Sequence, residues 1–200
     1  MELGTTLFLL NIAVTVIFVI AYVPQLKETY YAKTVKGVSL YFWLLVSLST
    51  SYSLYNLLIT GNAEWYVYLG QFINAIVAFI LFVWVNKIKF GWGNASVYTL
   101  VYVLFNFSLH TLLNLELSQA VATIAIIAAY IDQLLHFYKT KSAEGTNPLL
   151  YFFFALGLSL LVVIMVLTQA SIHVIITECF NITLLLVCGV WSIILKKERV

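Results

Sequence analysis

The sequence predicts an all-α membrane protein: seven transmembrane helices, arranged as two parallel three-helix repeats joined by a linker helix. Three observations predict it: the composition, the placement of charge, and a self-match at a fixed shift. Of the 200 residues, 63% are hydrophobic and 9% charged, whereas soluble domains carry about 25% charged residues. Seven apolar stretches can be read, near residues 3–24, 39–60, 65–86, 95–115, 118–138, 148–168 and 172–195. Each is close to the ~20 residues that a helix needs to cross the hydrocarbon core. The runs are continuous rather than alternating, which selects helices over a barrel. Little chain remains between them, so these 200 residues hold no room for a soluble catalytic domain.

Charge placement sets the threading. Lys27, Lys33 and Lys36 lie between the first and second spans, Lys87 and Lys89 between the third and fourth. Lys139 and Lys141 lie between the fifth and sixth, and Lys196, Lys197 and Arg199 follow the seventh. With seven spans, all ten basic residues fall on one side, which the positive-inside rule makes cytoplasmic. The N-terminus is then outside and the C-terminus inside. The opposite loops hold only Glu2, Glu64, Glu116 and His173. No cleavable signal peptide is expected, because "MELG" lacks a basic start and Lys27 follows the first span. Cys179 and Cys188 both fall in the seventh span and read as small buried apolar residues rather than a disulfide.

The third observation is a duplication. A shift of 108 pairs Tyr22 with Tyr130, Gln25 with Gln133, Lys33 with Lys141, Thr34 with Ser142 and Gly37 with Gly145. A shift of 107 pairs "QFIN" (71–74) with "ECFN" (178–181). Chance readily matches Leu and Val, but seldom polar residues at one shared shift. Residues 1–89 are therefore read as one three-helix repeat, 90–116 as the linker helix, and 117–200 as the second repeat. A single linking span gives both copies the same orientation, as the matching lysine loops require. Parallel repeats about an axis along the membrane normal are a transporter plan.

The stretch "YVPQLKETYYAKTVKGVSL" resembles the PQ-loop motif, and "YIDQLLHFYKTKSAEGTNPL" resembles a second copy in which the proline has become Asp132. Two such motifs in a seven-span chain of this length resemble the PQ-loop superfamily and its SWEET-like transporters. That group also holds cystinosin-like exporters and the KDEL receptor. The resemblance implies transport of a small polar solute, a sugar, amino acid or related metabolite, with no cofactor and no metal. It also implies that the third helix of each repeat offers an asparagine to substrate, for which Asn74 and Asn181 are the matches. An aromatic of the second helix is implied over the substrate, and Tyr52, Tyr55 and Asn56 occupy that region. The corresponding "LSLLVVIM" of the sixth span has no aromatic, a departure from the sugar-binding pattern.

The residues support part of this independently. Polar side chains inside a bilayer normally face the bundle interior or a water-filled path. Gln71 and Asn74 share a helix face, and Glu178 and Asn181 repeat the spacing. Counted from the start of each span, both asparagines lie ~14 Å deep, near the middle of a ~30 Å core. Helix-to-helix bonding is the competing role for these amides. Glu178 has no lysine or arginine within the spans, so it must stay in water, hold a proton, or meet a cationic solute. Asp132 is a second candidate for proton coupling, or an interfacial partner of His136 and the nearby lysines. Pro24 should kink the first helix and, with Gln25 and Gln133, mark a hinge or gate. Asn106, His110 and Asn114 form a stripe on the linker span, read as packing or assembly.

A transporter with a small-molecule substrate is the favoured class, with a proton-coupled exporter of amino acids or amines as its alternative. A receptor would need a basic cavity, which the spans lack. An enzyme is not expected: three scattered histidines and no HExxH motif supply no hydrolytic centre. The partners expected are solute, lipid bilayer and a second copy of the chain, with no nucleic acid. A multi-pass location follows, with a bacterial inner membrane fitting the minimal build.

Overall fold

The computed structural model describes residues 3–61 and 63–198; Glu2 and Arg199, counted above, lie outside them. The described residues form six helices and no strand: α1 Leu3–Tyr31, α2 Leu40–Thr60, α3 Trp65–Leu112, α4 Leu115–Thr140, α5 Pro148–Leu167 and α6 Ile172–Lys197. All six are long and apolar enough to cross a membrane. The expected third and fourth spans are merged in α3, without an intervening coil. They are separated instead at Gly91, whose φ of 77° and ψ of 168° interrupt the helix. That backbone region is essentially confined to glycine, so one residue does the work expected of a loop. Below, α3a denotes 65–90 and α3b denotes 92–112.

Local chemistry explains the other ends. α2 stops at Gly61, left-handed at φ 66°, with its N–H on the Leu57 carbonyl at 3.1 Å. Asn114 caps α4 by accepting from Leu117 N at 2.9 Å, so it is a cap rather than a member of the expected polar stripe. Asn147 caps α5 ahead of Pro148, where the missing donor costs little. α1 runs past Pro24 to Tyr31, so the PQ motif sits inside a helix rather than at its end. Of the two cysteines only Cys188 is buried; Cys179 is exposed on the bundle surface, contrary to expectation.

The packing is crossed. α1 lies against α5 and α3, and α2 against α4 and α3, while α6 closes on α5 and α4. The first helix of each sequence repeat therefore meets the second helix of the other. α3b lies against α2 through a polar seam. Tyr102 bonds Ser47 at 2.9 Å, and Asn106 Nδ2 donates to Tyr102 at 3.0 Å and Ser51 at 3.2 Å. The His110 ring stacks on Tyr52 at 4.2 Å and meets Tyr55 at 4.4 Å. Removing the shared hydroxyl, Tyr102→Phe, is expected to cost about 1 kcal/mol. It should lower the melting temperature in detergent and leave solute binding unchanged.

Candidate functional site

Between the two repeats lies a cavity of about 240 Å³. Its polar lining comes from helices related by the duplication. Asn74 stands nine residues into α3 and Asn181 nine residues into α6, each ~14 Å along its helix. Gln71 and Glu178 stand one turn nearer the helix starts. α2 adds Ser49, Thr50 and Ser53. Tyr22 donates to Asn74 Oδ1. Asn181 Nδ2 donates to Glu178 Oε2 at 3.2 Å, and Gln71 Nε2 to the Thr50 carbonyl at 3.1 Å.

The floor of the cavity is aromatic and buried. Tyr22, Phe42, Trp43, Tyr130 and Tyr151 are each at most 6% exposed. Phe42 meets Trp43 at 4.8 Å and Tyr151 at 6.2 Å, and Tyr22 meets Phe154 edge-on at 5.1 Å. Tyr22 and Tyr130 are one pair at the 108-residue shift, and Trp43 and Tyr151 are another. Neither Trp43 nor Tyr151 was singled out from the sequence; their common register under the shift was the available signal. The missing aromatic of the second repeat is therefore supplied by the "NPLLYFFFA" half of α5, not by "LSLLVVIM".

Beyond the floor, at the lysine-bearing end, the two PQ segments grip each other. Gln25 Nε2 donates to the Gly145 carbonyl at 2.8 Å, and Gln25 Oε1 accepts from Asn147 N at 2.8 Å. Gln133 Nε2 donates to the Gly37 carbonyl at 2.7 Å, and Gln133 Oε1 accepts from Ser39 N at 3.0 Å. The partners of one glutamine are the partners of the other, displaced by 108 residues. Each glutamine thus satisfies a carbonyl and an amide in the loop of the opposite repeat. Both glutamines are at most 1% exposed. Gly37 N completes the contact on the Glu144 carbonyl at 2.9 Å.

An outer layer of charge repeats the crossing with one change. Lys196, at the end of α6, pairs with Glu28 of α1 at 2.8 Å. Its equivalent under the 107-residue shift, Lys89, donates to the Val38 carbonyl and lies within electrostatic reach of Asp132 on α4. Asn147 Nδ2 approaches Glu28 at 3.4 Å, and its counterpart Ser39 donates to Asp132. Both halves therefore hold an acid against the other repeat. In the first half it is Glu28, one turn beyond Pro24; in the second it is Asp132, on the proline position itself. His136 bonds the Lys36 carbonyl at 2.9 Å and, as expected, lies within electrostatic reach of Asp132. The Glu28–Lys196 pair is about one-third exposed, and such pairs contribute about 0–1 kcal/mol. Glu28→Gln should accordingly change thermal stability little.

The structure brings Asn74, Asn181, Gln71 and Glu178 together at the cavity and Gln25, Gln133 and Asp132 together at the inter-repeat contact, with Pro24 next to Gln25 on α1. It does not bring Tyr52, Tyr55 or Asn56 to the cavity. The two tyrosines face His110 on α3b, and Asn56 accepts from Ser118 of α4. The reason is that α2 carries hydroxyls on two opposed faces, one lining the cavity and one bonding the linker helix.

Among the described residues, no three His, Cys, Asp or Glu side chains converge so as to hold a metal ion. The geometry is that of a partly enclosed cavity between the repeats, backed at the lysine-bearing end by the glutamine contacts. No curated protein and no solved structure matches the chain. The PQ loop repeat family matches it twice, over residues 6–66 and 115–174, together more than half its length. Members of that family are typically transporters. With two repeats in the SWEET-like arrangement, this chain is a multi-pass membrane protein that belongs to the PQ-loop family.

Proposed function

We propose that the protein carries a small polar solute across its membrane by alternating access around the Asn74–Asn181 level. In this reading α3a and α3b are separate spans, giving seven crossings with the N-terminus outside and the lysine-bearing end in the cytoplasm. The observation that carries it is the pairing of a partly enclosed cavity, aromatic at its floor and polar at the Asn74–Asn181 level, with inter-repeat contacts at its lysine-bearing end. The gate contacts are almost all between repeats, so rocking one repeat on the other breaks them as a set. That is how parallel-repeat transporters switch the face on which a central site opens.

The test is a thermal-shift screen of purified protein against sugars, nucleosides, amino acids and amines, followed by counterflow of any hit in proteoliposomes. A ligand of the folded state raises the melting temperature by mass action. Asn74→Ala and Asn181→Ala are expected to abolish that shift while leaving the unliganded melt nearly unchanged. Normal binding by both variants would assign the amides to helix packing alone.

A second reading, a proton-linked exporter, draws support from Glu178, the one carboxylate among the described residues that line the cavity. If Glu178 carries the coupled proton, Glu178→Gln loses gradient-driven accumulation and keeps counterflow. Unchanged accumulation in that variant counts against proton coupling at this residue.

A further inference from the structure

The two halves of the cavity match in sequence and oppose each other in hydrogen-bonding character. On the first half, Tyr22 donates to Asn74 Oδ1, and the Asn74 amide nitrogen keeps its donors. On the second half the amide is turned the other way. Asn181 Nδ2 donates to Glu178, and Asn181 Oδ1 is buried with no partner. Asn181 is 2% exposed, so no bulk water compensates that oxygen. The shift that pairs the asparagines also pairs neutral Gln71 with acidic Glu178. Gln71 gives one of its two N–H donors to the Thr50 carbonyl. Among the described residues, no lysine, arginine or histidine lines the cavity. The second half therefore holds a carboxylate and an unpaired amide oxygen beside the Tyr130 and Tyr151 hydroxyls, while the first half holds only neutral amides and hydroxyls.

The geometry points to a protonated amine as the ligand of this cavity, its ammonium donating to Glu178 and Asn181 Oδ1 and its far end offering an acceptor to Asn74. The inference rests on reading the cavity as the solute site. An ammonium with N–H bonds satisfies both open acceptors at once. A neutral polyol would leave the carboxylate uncompensated, and an anion would meet it with like charge. A quaternary ammonium would balance the charge but leave Asn181 Oδ1 without a donor. The surrounding walls agree: Tyr22, Trp43, Tyr130 and Phe154 present aromatic rings to the cavity, and ring faces attract cations.

The experiment measures equilibrium binding to the full-length protein in nanodiscs by tryptophan fluorescence, using two charge-matched ligand sets. One set is tyramine, tyrosol and 4-hydroxyphenylacetate. The other is 4-amino-1-butanol, 1,4-butanediol and 4-hydroxybutyrate. In at least one set the amine is expected to bind roughly 30-fold or more tightly than its neutral and anionic counterparts. Glu178→Gln should erase that preference. Gln71→Glu added to Glu178→Gln returns a carboxylate to the cavity from the opposite repeat, and should recover most of it. A purely structural glutamate would not be rescued in this way.

Equal or tighter binding of the neutral member in both sets overturns the inference. So does an absence of binding in both, or an amine preference that survives Glu178→Gln. Because the ligand series is run on the unmodified protein, a poorly folding variant does not block the test. Amine binding without counterflow would sink the transport reading and leave the cavity chemistry intact. Counterflow of neutral solutes with no amine preference would do the reverse.

Discussion

Replacing Gln25 and Gln133 together by leucine is expected to open the lysine-bearing end of the protein while leaving the bundle folded. Leucine keeps much of the side-chain volume but supplies neither donor nor acceptor. In the closed gate it would strand the Gly145 and Gly37 carbonyls and the Asn147 and Ser39 amides. A buried group left unpaired costs about 1–3 kcal/mol. Once the loops separate, the same groups reach water and the cost vanishes. The penalty thus falls on one access state alone. Two such groups per glutamine suffice to invert an equilibrium of a few kcal/mol. A cysteine placed at Val35, buried between the loops, should then react faster with an impermeant thiol reagent from that side. Each single substitution should act in the same direction, and the two should combine non-additively because they share one interface. An unchanged labelling rate in the double variant would mean that the glutamines do not hold the gate.

The second large effect is steric. A Cβ on Gly37 would sit 2.5 Å from the Ala143 Cα and carbonyl carbon and from Glu144 N, all of them backbone atoms. Those atoms cannot yield as a flexible side chain would, so even Gly37→Ala blocks closure. Gly145, across the same contact, has φ 82° and meets Val35 at 2.8–3.0 Å. A side chain there is strained by backbone conformation as well as by space. Gly37→Ala should therefore abolish counterflow with little loss of folded protein, because the clash exists only when the loops meet. A variant that transports normally would show that the loops never need to close.

Much of the architecture was legible because bilayer crossing leaves few options and because the duplication printed each polar position twice. The self-match identified Gln25 with Gln133 and Asn74 with Asn181; the structure gives the glutamines equivalent partners and sets the asparagines at the same depth with different ones. What the shift could not carry was the crossing. Gln25 and its partner Gly145 are 120 residues apart, and equivalence between two sites says nothing of contact between them. The α2 assignment failed for a related reason. "SLSTSYS" is polar on more than one face, so helical periodicity could not tell the cavity face from the linker face. Trp43 and Tyr151 were hidden among other aromatics, where composition suggests an interfacial belt. The loss of proline at position 132 is accounted for at the level of charge. Asp132 provides the second half of the gate with the acid that Glu28 provides to the first, one turn displaced.

The most direct test of the central claim, that one cavity opens by turns to two faces, is paired cysteine labelling. Ser53→Cys reports the cavity and Val35→Cys reports the gate, each in a background in which Cys179 and Cys188 are replaced by serine. Rates are measured with impermeant reagent from either side, with and without Gly37→Ala. Alternating access predicts opposite movement: with the gate propped open, Val35→Cys labels faster from the lysine side and Ser53→Cys more slowly from the other. Both rates rising together would describe a channel, and independent rates would describe two unconnected sites; either result contradicts the account.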